Sequence, residues 1–211
     1  MLRPAAAPAS LTTVIFDVGG VLLDWNPRYL YRQLIADAAV MEDFLARVCT
    51  PDWNHRQDEG RSFADAVAER TALFPEHAAL IAAYDQRWDE MVQGAIEHTV
   101  QLLYQLKERG VRLLALTNFS TEKLPQMLQR YPFFACFEAM VVSGEVGIAK
   151  PDPRIFAHLI AVCGLQPGDC LFIDDVPANV AAAQDAGLHA IRFTTAAALT
   201  VSLREYGILE S

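Results

Sequence analysis

The sequence predicts a three-layer α/β domain, a parallel sheet with helices on both faces, interrupted by one all-helical insertion. Three observations carry this expectation. Short apolar runs rich in β-branched and aliphatic residues recur along the chain, stretches of helical length separate most of them, and one long segment near the N-terminus shows helical periodicity with no strand.

The apolar runs are 13–17 (TVIFD), 112–116 (RLLAL), 139–142 (AMVV), 170–173 (CLFI) and 189–193 (HAIRF), each with the length and composition of a buried strand. Amphipathic stretches at 97–109, 121–130, 153–162 and 177–186 read as helices, several closed by a glycine such as Gly110, Gly164 or Gly187. Strand alternating with helix gives a parallel, Rossmann-like sheet. From 26 to 94 the pattern changes, with helical periodicity at 29–38, 41–48, 63–73 and 78–92. A loop of that length without structure is uncommon in a compact domain, so the segment is expected to be a cap of three to five helices. The expected division is a core of 11–25 and 95–211, a helical cap of 26–94, and a flexible leader of 1–10.

Composition narrows the function. The chain has 211 residues, 53% of them hydrophobic, which suits one large buried core with an insertion. Its net charge is −9, from scattered carboxylates, and no Lys/Arg cluster forms a footprint for nucleic acid. Cys49, Cys136, Cys163 and Cys170 lack the spacing of zinc or redox motifs and read as small buried hydrophobes of a reducing compartment. The N-terminal MLRPAAAPAS has no continuous apolar core of signal-peptide length, and no run reaches the roughly 18 apolar residues of a membrane span. A cytoplasmic monomer or homodimer is expected, with a small-molecule partner and neither nucleic acid nor membrane.

In open α/β sheets ligands bind outside the carboxyl ends of the strands, so those ends hold the candidate chemistry. The first strand ends in Asp17 and runs into Gly19-Gly20; the second ends in Thr117-Asn118; the fourth ends in Asp174-Asp175; and Lys150 lies in the connection after the third. Crowded carboxylates repel one another unless a cation neutralises them, and Mg²⁺ suits one or two carboxylates plus phosphate oxygens. On this reading Asp17 is both ligand and nucleophile, forming an aspartyl-phosphate. Lys150 holds Asp17 and balances phosphate charge, and Thr117 hydrogen-bonds phosphoryl oxygens. Asp175 supports the metal, and Asn118 contacts phosphate or substrate.

The four segments VIFDVGGVLLD, LLALTN, GIAKPDP and LFIDDVPANV resemble, in order, the four motifs of the haloacid-dehalogenase-like superfamily. The resemblance implies Asp17 as nucleophile, Thr117 as phosphate binder, Lys150 as stabiliser of the intermediate, and Asp174 together with the backbone carbonyl of Gly19 as Mg²⁺ ligands. It also implies a helical cap between the first two motifs. One position departs from the pattern: phosphatases of the superfamily generally carry a second Asp two residues after the nucleophile, where this chain has Gly19. A general acid/base is worth about 10² to 10⁴ in rate. The Asp-x-Gly start resembles helical-capped sugar-phosphate phosphatases, and a good leaving group reduces the need for an acid.

The expected function is Mg²⁺-dependent hydrolysis of a small phosphorylated metabolite such as a sugar phosphate. Two other readings are a 2-haloacid dehalogenase with Asp17 as carbon nucleophile, and a catalytically idle binding protein. Substrate choice is expected to lie in the cap, where Trp25, Asn26 and the stretch Trp53-Asn54-His55-Arg56-Gln57 are candidates to face the crevice and His55 to share the acid role. Tyr84 and Trp88, one helical turn apart, read as cap core, and the segments around 24–27 and 94–96 as hinges.

Overall fold

A computed structural model describes residues 11–210; the expected leader, 1–10, lies outside the described residues. The chain begins with β1 (Thr13–Phe16) and β2 (Leu23–Trp25) and passes into five helices, α1 (Arg28–Leu34), α2 (Ala38–Arg47), α3 (Pro51–Asp58), α4 (Phe63–Leu73) and α5 (Ala78–Gln86). It returns through β3 (Val92–Ala95) to α6 (Glu97–Glu108), β4 (Arg112–Thr117), α7 (Leu124–Arg130), β5 (Ala139–Val142) and α8 (Ser143–Val146). The last elements are α9 (Pro153–Cys163), β6 (Cys170–Asp174), α10 (Pro177–Asp185), β7 (His189–Arg192) and α11 (Ala196–Glu205).

Five strands form one parallel sheet in the order β5-β4-β1-β6-β7. Successive strand residues point to opposite faces, and each face has its own core. Val14, Phe16, Leu113, Ala115, Leu171 and Ile173 pack on one side; Ile15, Leu114, Leu116, Cys170 and Phe172 pack on the other. Burial on both faces explains why these strands read as continuous apolar runs rather than alternating ones. With β1 flanked by β4 and β6, the chain reverses its direction of travel across the sheet beside β1, which is where α/β sheets leave a crevice.

The helical segment is built around its own aromatics. Tyr31 packs on Phe44 at 4.9 Å between ring centroids, Trp53 meets Tyr84 edge to face at 5.0 Å, and the Tyr31 hydroxyl donates to Leu80 O at 2.9 Å. Side-chain caps set several of the helix starts: Asp37 accepts from Ala39 and Val40 N–H, Thr50 from Trp53 N–H, and Ser62 from Asp65 N–H. The Asp37 cap explains why the helix expected over 29–38 stops at Leu34 and a second begins at Ala38. The helix expected over 78–92 ends at Gln86 and gives way to a 3₁₀ turn, Trp88–Met91, and then to a strand.

Two features escape periodicity. β2 and β3 pair antiparallel, Leu23 opposite Ala95 and Asp24 opposite Gly94, so the two crossings into and out of the helical segment, expected as hinges around 24–27 and 94–96, form a two-stranded ribbon. Strands this short carry no readable pattern. The helical segment is also fastened to the sheet's loops. Lys123 Nζ binds Asp85 Oδ1 at 2.5 Å, Glu122 Oε1 accepts from Phe63 N–H at 3.0 Å, and Ser143 Oγ donates to Asp58 O.

Close approaches of backbone on backbone accompany these bonds. Gly60, at φ +99°, faces the carbonyl of Gly144, which a Cβ at Gly60 would meet at 2.9 Å, and a Cβ at Gly144 would lie 2.8 Å from Phe119 O. Overpacking of this kind typically costs about 1–3 kcal/mol. Gly144→Ala is therefore expected to lower stability by about that amount, read as a lower urea midpoint with an unchanged slope.

Candidate active site

Asp17 is the first residue past β1, and its backbone N–H still bonds to Ile173 O of β6 at 2.9 Å. The strand ladder thus fixes the backbone that carries the carboxylate. Asp17 Oδ1 accepts from Val18 N–H at 2.7 Å and lies 2.9 Å from Lys150 Nζ.

Lys150 is fully shut from water. Its ammonium bonds to Asp17 Oδ1, to Asp174 Oδ2 at 2.7 Å, and to Leu116 O at 2.9 Å, so it ties together the ends of β1, β6 and β4. Asn118 anchors it from behind: its Nδ2 donates to Lys150 O at 2.9 Å and its Oδ1 accepts from Lys150 N–H at 2.8 Å. The Asn118 amide, expected to contact phosphate or substrate, is thus committed to the lysine backbone, although the residue also borders the cavity described below.

Asp174 is likewise buried and hydrogen-bonded through both carboxylate oxygens. It accepts from Lys150 on Oδ2, from Val176 N–H on Oδ1 at 2.8 Å, and from Asn179 Nδ2 on both oxygens at 3.0 Å. Asn179, in the first turn of α10, is a site residue that sequence reasoning missed. The available signal was its place five residues after Asp174, in the same turn-and-helix run. Asp175 packs over Gly20, whose φ of +74° leaves no room for a side chain: a Cβ there would come within 2.5 Å of the Asp175 carboxylate.

One ammonium faces two buried acids, and the charges do not balance. Burial, with Asp174 adding to it and Lys150 opposing it, pushes the Asp17 carboxyl up to about 8. Burial would lower Lys150, but Asp17 and Asp174 outweigh it and hold the ammonium above its usual range. Asp175 is also raised, by burial and then by Asp174. Asp17, Asp174 and Asp175 each offer a carboxylate oxygen within 4.8 Å of the others. This all-oxygen donor set fits a hard divalent cation, which would relieve the excess negative charge.

The Asp17 and Asp175 carboxylates open onto a cavity of about 350 Å³ between the sheet and the helical segment. Gly19 lies on its wall, and a Cβ there would meet nothing within 4 Å. Thr117, at the end of β4, is buried and its Oγ1 has no hydrogen-bond partner. An unsatisfied buried hydroxyl is costly, and it is the kind of group a phosphoryl oxygen could complete.

Several residues expected to face the crevice stand elsewhere. Trp53 is core, with Nε1 directed at Ala66 O at 3.4 Å, and Gln57 donates to Trp53 O at 2.6 Å. Both follow from 50–58 forming helix α3, whose start is signalled by Thr50 followed by Pro51. Asn26 accepts from Arg28 N–H as a local turn, Arg56 points along the surface 4.0 Å from Glu69, and His55 borders a neighbouring cavity of the helical segment. Tyr84 and Trp88, read as cap core, are both buried in the hydrophobic core, and Trp88 also lines the main cavity and packs on Phe119 at 5.4 Å. Trp25, Asn54 and Asp58 complete that wall.

Removing Lys150 would leave two buried acids without their cation. Lys150→Met is expected to cost about 3–5 kcal/mol in urea unfolding without added metal. For Asp17 the linkage runs the other way. Its folded-state value of about 8 exceeds the ordinary 3.8, so its contribution to stability is full below about pH 4 and is lost as pH rises towards 8. In metal-free buffer, the stability of Asp17→Asn relative to wild type is expected to increase steadily over that interval, as measured by urea titration at each pH.

Known proteins resemble this chain along most of its length. A sesquiterpene phosphatase of Aspergillus oryzae is 26% identical over 192 residues, covering 90% of this chain and 94% of that protein. A validoxylamine A 7'-phosphate phosphatase of Streptomyces hygroscopicus subsp. limoneus is 25% identical over 145 residues, covering 66% and 68%. Among solved structures, a HAD family enzyme of Bacteroides thetaiotaomicron in complex with magnesium and inorganic phosphate superposes with a TM-score of 0.69 at 21% identity, covering 88% of this chain and 95% of that one. A dehalogenase shares the fold at a TM-score of 0.63 and 21% identity, covering 87% and 84%. The family model of the haloacid dehalogenase-like hydrolases matches residues 11–187, and the chain belongs to that family.

Proposed function

We propose that this chain is a Mg²⁺-dependent phosphatase acting on a small phosphorylated metabolite through an aspartyl-phosphate on Asp17. The observation that carries the reading is the joint placement of Asp17 against Lys150, within the three-carboxylate cluster, on the wall of a cavity. The two relatives above, both phosphatases by name, support it, as does the Bacteroides structure with magnesium and phosphate.

Asp17, Asp174 and the carbonyl of Gly19 would hold the metal, with Asp175 supporting it. The bound cation would neutralise these acids and draw electron density from the phosphoryl oxygens. Val18 N–H and Lys150 both engage Oδ1, leaving Oδ2 of Asp17 to attack phosphorus. The Asp17 O–P bond forms as the ester P–O bond breaks, and water then attacks the same phosphorus to release inorganic phosphate and the free carboxylate. Thr117 Oγ1 donates to a phosphoryl oxygen, and Lys150 balances the charge that develops.

Residues 26–94 act in this reading as a cap over a core of 11–25 and 95–211. The cavity walls contributed by Trp25, Trp88 and Phe119 suit the apolar face of a sugar ring or a hydrocarbon body. Phosphate release from a panel of sugar phosphates and prenyl phosphates is expected to require Mg²⁺, to stop with chelator, and to fall by roughly 10⁴-fold or more in Asp17→Asn. Absence of release from every ester, with halide released from 2-haloacids, would replace this reading with carbon displacement.

A further inference from the structure

The reaction proposed above has an unmet need. An alkoxide is a poor leaving group, so a proton must reach the ester oxygen as its bond to phosphorus breaks. The position two residues after Asp17 is a glycine with open space beside it.

Four protonatable side chains line the cavity among the described residues: Asp17, Asp58, Lys150 and Asp175. Asp17 is the nucleophile, Lys150 is locked between Asp17 and Asp174, and Asp175 belongs to the carboxylate cluster. Only Asp58 is uncommitted. It sits at the C-terminal end of α3, contributed by the helical segment rather than by the sheet.

We infer that Asp58 is the general acid that protonates the leaving group, and the base that then accepts a proton from the hydrolytic water. The inference rests on the phosphatase reading and deepens it. Two sets of contacts place the residue. Its Oδ2 accepts from Asn54 Nδ2 at 2.9 Å, and Asn54 Oδ1 in turn accepts from the Tyr84 hydroxyl at 3.0 Å, which leaves Oδ1 to carry the proton. Its backbone carbonyl accepts from Ser143 Oγ, and that oxygen accepts from Phe119 N–H at 2.9 Å. Phe119 follows Thr117-Asn118, so the loop expected to hold phosphate and the end of the helix that bears the acid are joined through one serine.

The carboxyl is suited to the task. Burial, and then Glu59 beside it, pushes Asp58 up to about 7, so it carries its proton in part of the population at neutral pH. The other ionisable groups around it are Tyr84 from α5, and Asp17, Lys150 and Asp175 on the same cavity wall. His55 is excluded from the role, since it borders the neighbouring cavity 3.7 Å from Glu59. In the first step the ester P–O bond breaks, the departing oxygen takes the Asp58 proton, and the alcohol leaves. In the second, water attacks the phosphorus of the Asp17 phosphoenzyme, gives a proton to the Asp58 carboxylate, and both side chains return to their starting forms.

The test compares wild type, Asp58→Asn and Asp17→Asn in Mg²⁺ on aryl and alkyl phosphates of graded leaving-group acidity, following first-turnover release of the alcohol or phenol. Asp58→Asn is expected to slow alkyl release by about 10² to 10⁴-fold, to spare nitrophenol release, and to lose the basic limb of the pH–rate profile near 7. Equal slowing of every leaving group, or slowing of none, would overturn the assignment while Asp17-dependent release upheld the phosphatase reading. A wild type inactive on all esters would overturn both. Should Asp58→Asn fail to bind inorganic phosphate with Mg²⁺, Asn54→Ala carries the same comparison, since it frees the acid from its orienting bond and keeps the carboxyl: a loss that grows as the leaving group becomes less acidic supports the role, and a uniform one overturns it.

Discussion

A single ammonium, sealed from water, holds the carboxyl end of the sheet together. Lys150 Nζ contacts Asp17 after β1, Asp174 at the end of β6 and the carbonyl of Leu116 in β4. These three strands are neighbours in the order β4-β1-β6, so the lysine spans the centre of the sheet from a loop that belongs to none of them. Its own backbone is fixed by both ends of the Asn118 amide. Isolated buried charge is expensive, and here the ammonium has three oxygen partners, which is why the lysine tolerates exclusion from water.

The balance is incomplete by design of the site. Two buried acids share one base, a third acid packs over Gly20, and the Thr117 hydroxyl has no partner. In a purely structural polar cluster such deficits would be liabilities. Beside a cavity, the same deficits are ones that a cation and the oxygens of an anion would satisfy. The carboxyl of Asp17, held up to about 8 by burial, measures that deficit.

The helical segment answers a different constraint. Its aromatics Tyr31, Phe44, Trp53 and Tyr84 pack on one another within a core that continues onto one face of the sheet, and its edge is bound to the sheet's loops through Asp58, Phe63 and Asp85. The β2–β3 ribbon joins the two parts. The cavity walls therefore come from both: the sheet supplies charge, and the ribbon and helices supply Trp25, Trp88, Asn54 and Asp58. The two walls come from separate pieces of chain, an arrangement by which one fold can serve many substrates.

The sequence by itself determined the parallel sheet, the helical insertion and the grouping of Asp17, Lys150, Asp174 and Asp175. Buried strands must be apolar along their whole length, and a parallel sheet brings its strand ends to one edge whatever the loops do. The short β2 and β3 and the helix α3 were not legible, because three or four residues carry no period and a polar helix such as PDWNHRQD shows no apolar stripe. Asn179, Trp88 and Asp58 came only from the tertiary structure. Each is set by a contact between segments remote in sequence or by the turn of a helix over the cavity, and Asp58 reaches the site through a hydrogen bond to Ser143, 85 residues away. Local composition decides which elements form; which side chains those elements turn toward one cavity depends on how remote surfaces pack.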